Sequence, residues 1–425
     1  MNKGLRWLAM AAAMMIAGQA YAGEVDLLVE KLVAKDILTP SEAQILLDET
    51  KTQLGKDMAA GRVDSLPSWI QTMQFKGDFR ARYQNEETDT TSGSSKSTAK
   101  RERGRIRFRL GADAMANNEW KVGFGLATGV DDRRSTNATL DNVFSPKTIT
   151  LDYAYAKYSP LSNLFVTMGK PTQKDMFWAV SDLLWDTDIN PEGIGIHGDL
   201  FNVVSGLDLF LNFNYLLLDE LSGGAEPTMV MLQPGFSYDV TEMINLKSSI
   251  NYYLTNSVQG QPYNTLHSPK HGGGTNTLRG SDFRYDYDCL GFSAELGVNL
   301  QKDAEKRELV NYVSLVADYI QNPDPDDQNT GFLYGVKFGD KRISDPGTWQ
   351  VYALYRELEK DAWLDFLPDS DVISGITDVK GYEVIFQYGL AKNVSLGFDY
   401  YRSETIKAST KKEQSLYQVD CVVKF

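Results

Sequence analysis

The sequence predicts an all-β transmembrane barrel of about 16 antiparallel strands, with short periplasmic turns, long external loops and a short helical segment before it. Three observations predict this fold class. Apolar and polar side chains alternate with a period of two in segments along most of the chain. The connections between these segments alternate between long and short. The chain also begins with a pattern that is typical of exported proteins.

The composition excludes several other classes of protein. The chain has 425 residues, of which 24% are charged, 42% hydrophobic and 11% aromatic, and it contains two cysteines, Cys289 and Cys421. These values argue against a disordered chain and a disulfide scaffold, and we expect both cysteines to be unpaired or of minor structural importance. The formal charge of −14 disfavours a nucleic-acid binder, which needs clustered positive charge. No apolar run in the body of the chain is long enough for a membrane-spanning helix.

Residues 1–22 are predicted to be a signal peptide. Lys3 and Arg6 give a positively charged start, residues 7–17 form an apolar core, and residues 20–22 read Ala-Tyr-Ala, a small-x-small cleavage site. The apolar stretch is too short to span a bilayer as a helix. The protein is therefore expected to leave the cytoplasm.

Residues 23–70 are predicted to form a helical segment and a linker in the periplasm. Apolar residues at helical spacing over 24–35 indicate a first helix. Thr39, Pro40 and Glu42 then supply a cap, a proline at the first helical turn and the second half of a capping box, which indicates a second helix. The pair is interpreted either as a packed hairpin or as a self-associating segment.

Residues 71–425 are predicted to form the barrel. From about residue 72 the hydrophobic period becomes two, so that each segment has one apolar and one polar face. Each segment is close to the roughly ten residues that a tilted membrane strand needs. The predicted strands start near residues 72, 103, 119, 148, 163, 193, 206, 228, 244, 287, 309, 330, 348, 380, 394 and 415.

The connections give independent support for a barrel. Long connections are predicted at 84–101, 130–147, 171–192, 256–286 and 360–379, and short ones at 115–118, 159–163, 201–205 and 391–393. The nine-residue connections at 300–308 and 321–329 do not distinguish a membrane barrel from a soluble sandwich. A soluble sandwich has no reason to place its long loops at one end, whereas an outer-membrane barrel does.

Five arginines on the first two strands decide which face meets lipid. Near the bilayer midplane, an arginine on the lipid side costs about 2–4 kcal/mol, so the reversed register would cost on the order of 10 kcal/mol. The polar face must therefore point into an aqueous lumen. The predicted pore-lining residues are Arg80, Arg82, Arg105, Arg107 and Arg109, with Lys121 on the third strand. The alternative is the solvated face of a soluble sheet, which leaves the aromatic opposite faces unexplained.

The end of the chain carries a resemblance to a known family. Tyr417, Val419, Cys421, Val423 and Phe425 alternate with more polar residues, and the last residue is aromatic. This resembles the C-terminal strand by which the barrel-assembly machinery recognises outer-membrane proteins. Together with the leader, the helical segment and the first strand at 73–83, the chain resembles the Gram-negative "putative porin" family. The resemblance implies a channel in the outer membrane, in contact with lipid and lipopolysaccharide, with a homotrimer as the assembly common among porins.

The longest early loop, 171–192, is predicted to narrow the channel, because the loop at this place folds into the lumen in general porins. Its acidic residues would face the arginines and create a transverse field that orients dipolar solutes. The alternative is an ordinary solvated external lid. The predicted constriction residues are Asp175, Asp182, Asp186, Asp188 and Glu192.

Enzymatic and metal-binding patterns are weak. His197 lies two residues from Asp199, but a single strand histidine is more often a satisfied polar residue than a general base. Pro269 opposes a helical metal site between His267 and His271. The aspartates at 324–327 look like a loop tip with a weak calcium pattern. We therefore expect no catalytic residues, no metal and no cofactor.

Three functions remain open. The first is a general porin for small hydrophilic solutes and ions. The second is an anion-selective channel for carboxylates or phosphate, which the arginines favour. The third is a surface-binding barrel with a plugged lumen. No interaction with nucleic acid is expected.

Overall fold

A computed structural model describes residues 39, 42–49, 52, 68–130, 132–266, 274–301 and 308–425. The predicted signal peptide, the first predicted helix, and His267 and His271 lie outside the described residues. Within the described ranges, the helices are all too short or too polar to cross a bilayer. The contacts divide the chain into two units, Met1–Met73 and Gln74–Phe425.

The first unit contains the helical residues 42–49 (α1) and the short helix Ser68–Gln71 (α2). The predicted capping box is formed at the start of α1. The backbone N–H of Thr39 donates to Glu42 Oε2 at 2.9 Å, and the N–H of Glu42 donates to Thr39 Oγ1 at 3.3 Å. These reciprocal bonds satisfy donors that a helix start otherwise leaves without a partner.

The second unit is a closed antiparallel barrel of 16 strands, as predicted. The first strand, Gln74–Ser92, and the last, Thr410–Lys424, pair in antiparallel register from Asp78 opposite Lys424 to Ser92 opposite Thr410, which closes the sheet. Closure removes the unpaired edge that a strand would otherwise expose to lipid. The strands are β1 Gln74–Ser92, β2 Ser95–Met115, β3 Trp120–Thr128, β4 Ile149–Leu161, β5 Leu164–Lys170, β6 Gly193–Val204, β7 Leu207–Leu217, β8 Thr228–Asp239, β9 Ile244–Asn256, β10 Leu290–Asn299, β11 Tyr312–Gln321, β12 Thr330–Gly339, β13 Trp349–Leu358, β14 Val379–Ala391, β15 Val394–Thr405 and β16 Thr410–Lys424.

The first connection differs from the prediction. A long loop was expected at 84–101, but β1 continues to Ser92, β2 starts at Ser95, and Gly93 turns the chain with φ of 59°. The prediction of a loop was wrong because this part of the hairpin carries polar residues on both faces, which removes the apolar alternation. Glycine suits this turn because a positive φ costs it little.

Most of the remaining connections follow the predicted alternation at the two ends of the barrel; 300–311 at the short-turn end and 406–409 at the long-loop end are the clearest exceptions. The long end carries 129–148, 171–192, 257–289 and 359–378, whereas 116–119, 162–163, 205–206, 240–243 and 392–393 are tight turns at the other end. Short elements lie in the long connections: Ala138–Thr139, the 3₁₀ turn Gln173–Asp175, helix α3 Tyr263–Leu266, and the paired segments Leu278–Arg279 and Asp282–Phe283.

The two faces of each strand differ as the two-residue period requires. On β1, the outward-facing Phe79 and Tyr83 are 39% and 49% exposed, whereas the inward-facing Arg82 is 7% exposed. The main apolar cluster lies inside the barrel rather than on its wall alone. It joins residues of 171–192 and 359–378, such as Trp185 and Trp363, with inward-facing strand residues such as Met231 and Ile320. The long loops therefore pack into the lumen.

Candidate functional site

The five arginines predicted to line the pore form one inward-facing patch, which we call the basic wall. The register places Arg80 opposite Arg107, and Arg82 opposite Arg105, on the neighbouring strands β1 and β2. Arg109 lies opposite Asp78 one step closer to the short-turn end. Like charges directly across a strand pair repel each other, so this arrangement needs carboxylates close by.

Wall and loop carboxylates supply that compensation. Arg82 binds Asp420 of β16 with both carboxylate oxygens, Nε to Oδ1 and Nη2 to Oδ2, each at 2.7 Å. Asp78 accepts from Arg107 Nε at 2.9 Å and from Arg109 Nε at 2.7 Å. The bidentate pair of Arg82 and Asp420 fixes both the geometry and the charge of the guanidinium group, and Asp78 bridges two further guanidinium groups.

Two arginines of the basic wall are compensated less completely. Arg105 donates to the neutral oxygens Gln84 Oε1 at 3.2 Å and Ser135 Oγ at 3.1 Å. Arg80 donates to Asn137 Oδ1 at 2.6 Å and lies 3.6 Å from Asp420 Oδ2. In the described part of the chain, the buried Nε atoms of Arg80 and Arg105 have no hydrogen-bond partner, which is where a water or solute oxygen is expected.

A cavity lies at each end of the basic wall. The cavity toward the long loops has a volume of about 230 Å³ and is lined by Arg101, Arg103 and Arg105 together with Asp371. The cavity toward the short turns has a volume of about 550 Å³ and is lined by Lys76, Arg109 and Asp188 among others. The row of guanidinium groups connects the two.

The loop 171–192 packs inward, but its five acidic residues do not form one face toward the basic wall. In the described chain, Asp188 alone of the five lies within 4 Å of the basic wall, at 3.6 Å from Arg109 Nη1. Asp175 lies 3.9 Å from Lys157, and Glu192 pairs with Lys170 at 2.8 Å. The other two, Asp182 and Asp186, anchor the loop to other elements. The second acidic residue at the basic wall comes from another loop: Asp371 of 359–378 lies 3.5 Å from Arg82.

Asp182 belongs to a buried cluster on β13 and β14, which lie four and three strands around the barrel from β1. Arg356 of β13 lies 3.1 Å from Asp182 and 3.2 Å from Asp369, and it also pairs with Glu383 of β14. The Arg356 side chain is 4% exposed. One guanidinium group thus joins both inward loops to the barrel wall, and we call these four residues the Arg356 cluster. Although the three carboxylates lie close enough to hold a metal ion, the guanidinium group already occupies their common centre.

Asp186 connects the two inward loops directly. Its Oδ2 accepts the N–H of Ser370 at 2.9 Å, its own N–H donates to Leu367 O at 2.8 Å, and Trp363 Nε1 donates to Leu184 O at 2.8 Å. Burial raises the pKa of Asp186, and the neighbouring Asp369 raises it further. Burial likewise raises the pKa of Asp369, with Asp182 adding to the effect. The packed loops therefore favour the protonated carboxyl group of Asp186, whereas Arg356 opposes this effect at Asp369.

A chain of polar side chains across five strands holds the other side of 171–192. Asn212, Gln233, Asn251, Ser293 and Asp318 lie on β7, β8, β9, β10 and β11, and each hydrogen-bonds to the next at 2.7 to 2.9 Å. Ser181 of the loop donates to Asp318 at 2.6 Å. Gln233 also binds both backbone groups of Trp178: its Oε1 accepts the N–H at 2.9 Å and its Nε2 donates to the carbonyl at 2.8 Å.

The remaining sequence candidates have structural roles. Lys121 faces inward, 3.5 Å from Asp113 and above the ring of Tyr155, away from the basic wall. Both ring nitrogens of His197 are occupied, by Asn212 Oδ1 at 2.6 Å and Asp199 Oδ2 at 2.8 Å. Cys289 and Cys421 are free thiols. Asp327 of the predicted loop tip pairs with Lys407 at 3.0 Å.

Several residues of the site were missed from the sequence. Arg101 and Arg103 extend the row of arginines. The sequence did indicate them, because they continue the two-residue spacing of Arg105 to Arg109 toward the segment predicted as a loop. Arg356 and the polar chain through Gln233 had none, because their strands carry other polar residues too and nothing in the alternation marks these ones.

The family model and one solved structure agree with the barrel fold. The model of a family described as "Putative porin" matches residues 85–285 and 281–425, and no curated protein matches the chain. Pseudomonas putida OprB at high pH resembles it with a TM-score of 0.53 at 11% identity, over 87% of this chain and 97% of that chain. Salmonella typhi OmpF in complex with daunomycin gives 0.46 at 11% identity, over 83% and 97% of the chains. A multiple mutant of the Rh. blastica porin gives 0.42 at 11% identity, over 83% and 100%.

Proposed function

The chain belongs to the family described as "Putative porin", and on that premise we propose that this outer-membrane channel passes small hydrophilic solutes and ions along its basic wall, with a weak preference for anions. The observation that carries the proposal is the continuous row of guanidinium groups between the cavity lined by Arg105 and the cavity lined by Arg109. Arginine stays charged at physiological pH, so this row is a permanent positive surface.

The preference is proposed to be weak because most of the positive charge is compensated. Asp78 and Asp420 bind three of the five guanidinium groups at hydrogen-bond distance. On the other side, Asp188 and Asp371 add negative charge from the two inward loops. A solute would therefore cross a transverse field between arginines and aspartates, which favours dipolar and small polar molecules as well as anions.

A strongly anion-selective channel is the second candidate function. It is favoured by Arg105, which has neutral oxygen partners, and by Arg101 and Arg103 beside it at the cavity toward the long loops. A solute carboxylate or phosphate would replace those neutral partners with a charge-assisted pair.

A plugged surface-binding barrel is the third candidate. The large apolar cluster formed by the inward loops favours it. A plugged barrel would require the loops to close the cavities along the basic wall as well as to fill the rest of the lumen.

We also propose the cellular setting of the channel. Residues 1–22 would direct export, and residues 23–70 would remain in the periplasm. The outward aromatic face of the barrel would contact outer-membrane lipid and lipopolysaccharide, and the strand that ends at Phe425 would engage the assembly machinery. Assembly as a homotrimer, and the absence of a catalytic role, are part of the same proposal.

Single-channel recording in a planar bilayer tests the function. We expect stable conductance steps and, in a potassium chloride gradient, a reversal potential that indicates a modest chloride preference. Arg105→Ser should reduce this preference without leaving a wall carboxylate unpaired, and the triple replacement of Arg105, Arg107 and Arg109 by serine should reduce it further. Arg402→Ser is the control, because Arg402 lies 40% exposed in a pair with Glu413. A strong chloride preference supports the second candidate, and folded protein without conductance supports the third.

A further inference from the structure

The inner wall near the short turns carries a repeated arrangement of lysine, aromatic ring and glycine. In each unit an atom of the aromatic side chain lies so close to an inward-facing glycine of another strand that a Cβ atom there would overlap it. A lysine ammonium lies over the ring, at distances from 4.8 to 5.8 Å from the centroid. The units are Lys76–Tyr153–Gly111, Lys121–Tyr155–Gly123, Lys247–Phe210–Gly235, Lys337–Tyr352–Gly335 and Lys341–Tyr312–Gly297.

Lys247 differs from Lys76 and Lys121, which both pair with Asp113. Its ammonium lies 4.7 Å from the Trp178 ring and 5.0 Å from the Phe210 ring, and no carboxylate oxygen of the described residues lies within 4.0 Å of it. Aromatic faces stabilise a cation without neutralising it. Glu295 lies directly opposite Lys247 on β10 and lines one of the same cavities. Lys247 therefore keeps a positive charge inside the lumen that is not held in a direct ion pair.

The two rings beside Lys247 are held in fixed positions. The backbone of Trp178 is bound on both sides by Gln233, which is fully buried. Phe210 is placed by Gly235, and it meets Trp178 edge to face at a centroid distance of 6.3 Å. Because both rings are positioned before any solute arrives, little ordering cost is left for binding.

Two cavities adjoin this pair of rings. One has a volume of about 490 Å³, and its lining includes Phe165 and Phe210. The other has a volume of about 590 Å³, and its lining includes Lys337 and Lys341. Trp178 and Lys247 line both. These volumes are within the range of small-molecule sites, which combine apolar walls with a few placed polar groups.

We propose that Trp178, Phe210 and Lys247 form a binding site for small aromatic carboxylates in the periplasmic half of the channel. The carboxylate would pair with the ammonium of Lys247, and the solute ring would pack on the exposed parts of Trp178 and Phe210. The inference rests on the proposed function, because the solute reaches this site through the channel.

The combination of an ammonium group and aromatic rings distinguishes aromatic carboxylates from simple anions and from uncharged aromatic molecules. A simple anion such as acetate pairs with the lysine but leaves the ring surfaces in contact with water. An uncharged aromatic molecule covers the rings but leaves the ammonium without a counter-ion. An aromatic carboxylate does both at once, so its affinity should exceed that of either partial match.

Block of the chloride current measures binding, with benzoate and acetate as probes of the full-length protein in a planar bilayer. We expect benzoate to reduce the single-channel current at a concentration about tenfold lower than acetate. In Lys247→Met the half-blocking benzoate concentration should rise about tenfold, because a charge-assisted pair is lost. Block is expressed as a fraction of each variant's own current. Lys392→Met is the matched control, since Lys392 is exposed in a tight turn at the same end.

Phe210→Leu gives an independent measurement. It keeps the lysine and removes one ring, so benzoate should lose its advantage over acetate while acetate block stays the same. If Lys247→Met does not insert, this variant decides the question. Equal block by benzoate and acetate in the unmodified protein, or benzoate block that both variants retain, overturns the proposed site while leaving the channel function intact. Absence of any conductance would instead overturn the proposed function.

Discussion

The Arg356 cluster gives the sharpest prediction about how the inward loops are held. Replacing Arg356 by methionine keeps most of the apolar stem and removes the guanidinium group. Asp182, Asp369 and Glu383 then remain together, with carboxylate oxygens within 4.8 Å of one another and no cation between them. Glu383 is 2% exposed, so water cannot replace the lost partner without moving the loops.

The expected magnitude follows from that burial. Removing one partner of a buried ion pair costs about 3–5 kcal/mol, because the other charge stays behind uncompensated. At about 1.4 kcal/mol for each factor of ten, this shifts the equilibrium between packed and released loops by roughly a hundredfold to a few thousandfold. Both loops should respond, since Arg356 binds Asp182 of one and Asp369 of the other.

Two assays read this shift. In planar bilayers, Arg356→Met should show larger and noisier conductance steps than the unmodified protein. In urea, its unfolding midpoint should fall, as followed by the gel mobility of folded and unfolded protein. Arg402→Met is the matched control, because an exposed pair such as Arg402 with Glu413 contributes about 0–1 kcal/mol.

A second change separates charge from packing. Adding Glu383→Gln to Arg356→Met removes one of the uncompensated carboxylates and should recover part of the lost stability. If Arg356→Met matches Arg402→Met in both conductance and unfolding midpoint, the cluster does not hold the loops and the reasoning from buried charge is wrong.

The other predictions concern pH, the polar chain and the glycine contacts. Burial raises the pKa of Asp186 in the packed loops, so the stability that its protonation gives is full below the ordinary aspartate value near pH 4 and is lost as pH rises through the raised value. Current noise should therefore increase with pH and should change less with pH in Asp186→Asn; a pH-independent trace in the unmodified protein would contradict this. Gln233→Ala should cost about 1–3 kcal/mol in urea unfolding, because the two backbone groups of Trp178 lose their partners, and an unchanged midpoint would exclude that anchor. Gly235→Ala should displace Phe210 and remove the benzoate preference while heat-resistant gel mobility is retained, whereas retained preference would show that Phe210 is not placed by this contact.

The barrel was predictable because its signal repeats. Each strand must present alternate residues to lipid and to the lumen, so the period of two appears sixteen times and errors in one segment do not affect the others. Even segments in which the alternation is weak, such as those that start near residues 193 and 228, form strands with the predicted starts. The segment at 84–101 was predicted wrongly because a hairpin with polar residues on both faces carries no alternation.

The basic wall was predictable for a related reason, whereas its partners were not. Placing an arginine side chain in lipid is unfavourable whatever its neighbours are. The sequence alone therefore predicts that Arg80 and Arg105 point into the lumen. The pairing of Arg82 with Asp420 joins residues 338 positions apart, and it exists because the last strand closes against the first.

The sequence by itself indicated about 16 strands and the inward face, because these follow from local periodicity and from the cost of burying single side chains. The family was suggested separately, by the resemblance of the leader, the first strand and the C-terminal strand. Tertiary structure alone decided which acidic residues meet the arginines, how one guanidinium group joins two loops to the wall, and where Lys247 meets two rings without a direct ion pair. Those features depend on how long loops fold back into a closed lumen, which brings together residues that no local pattern connects.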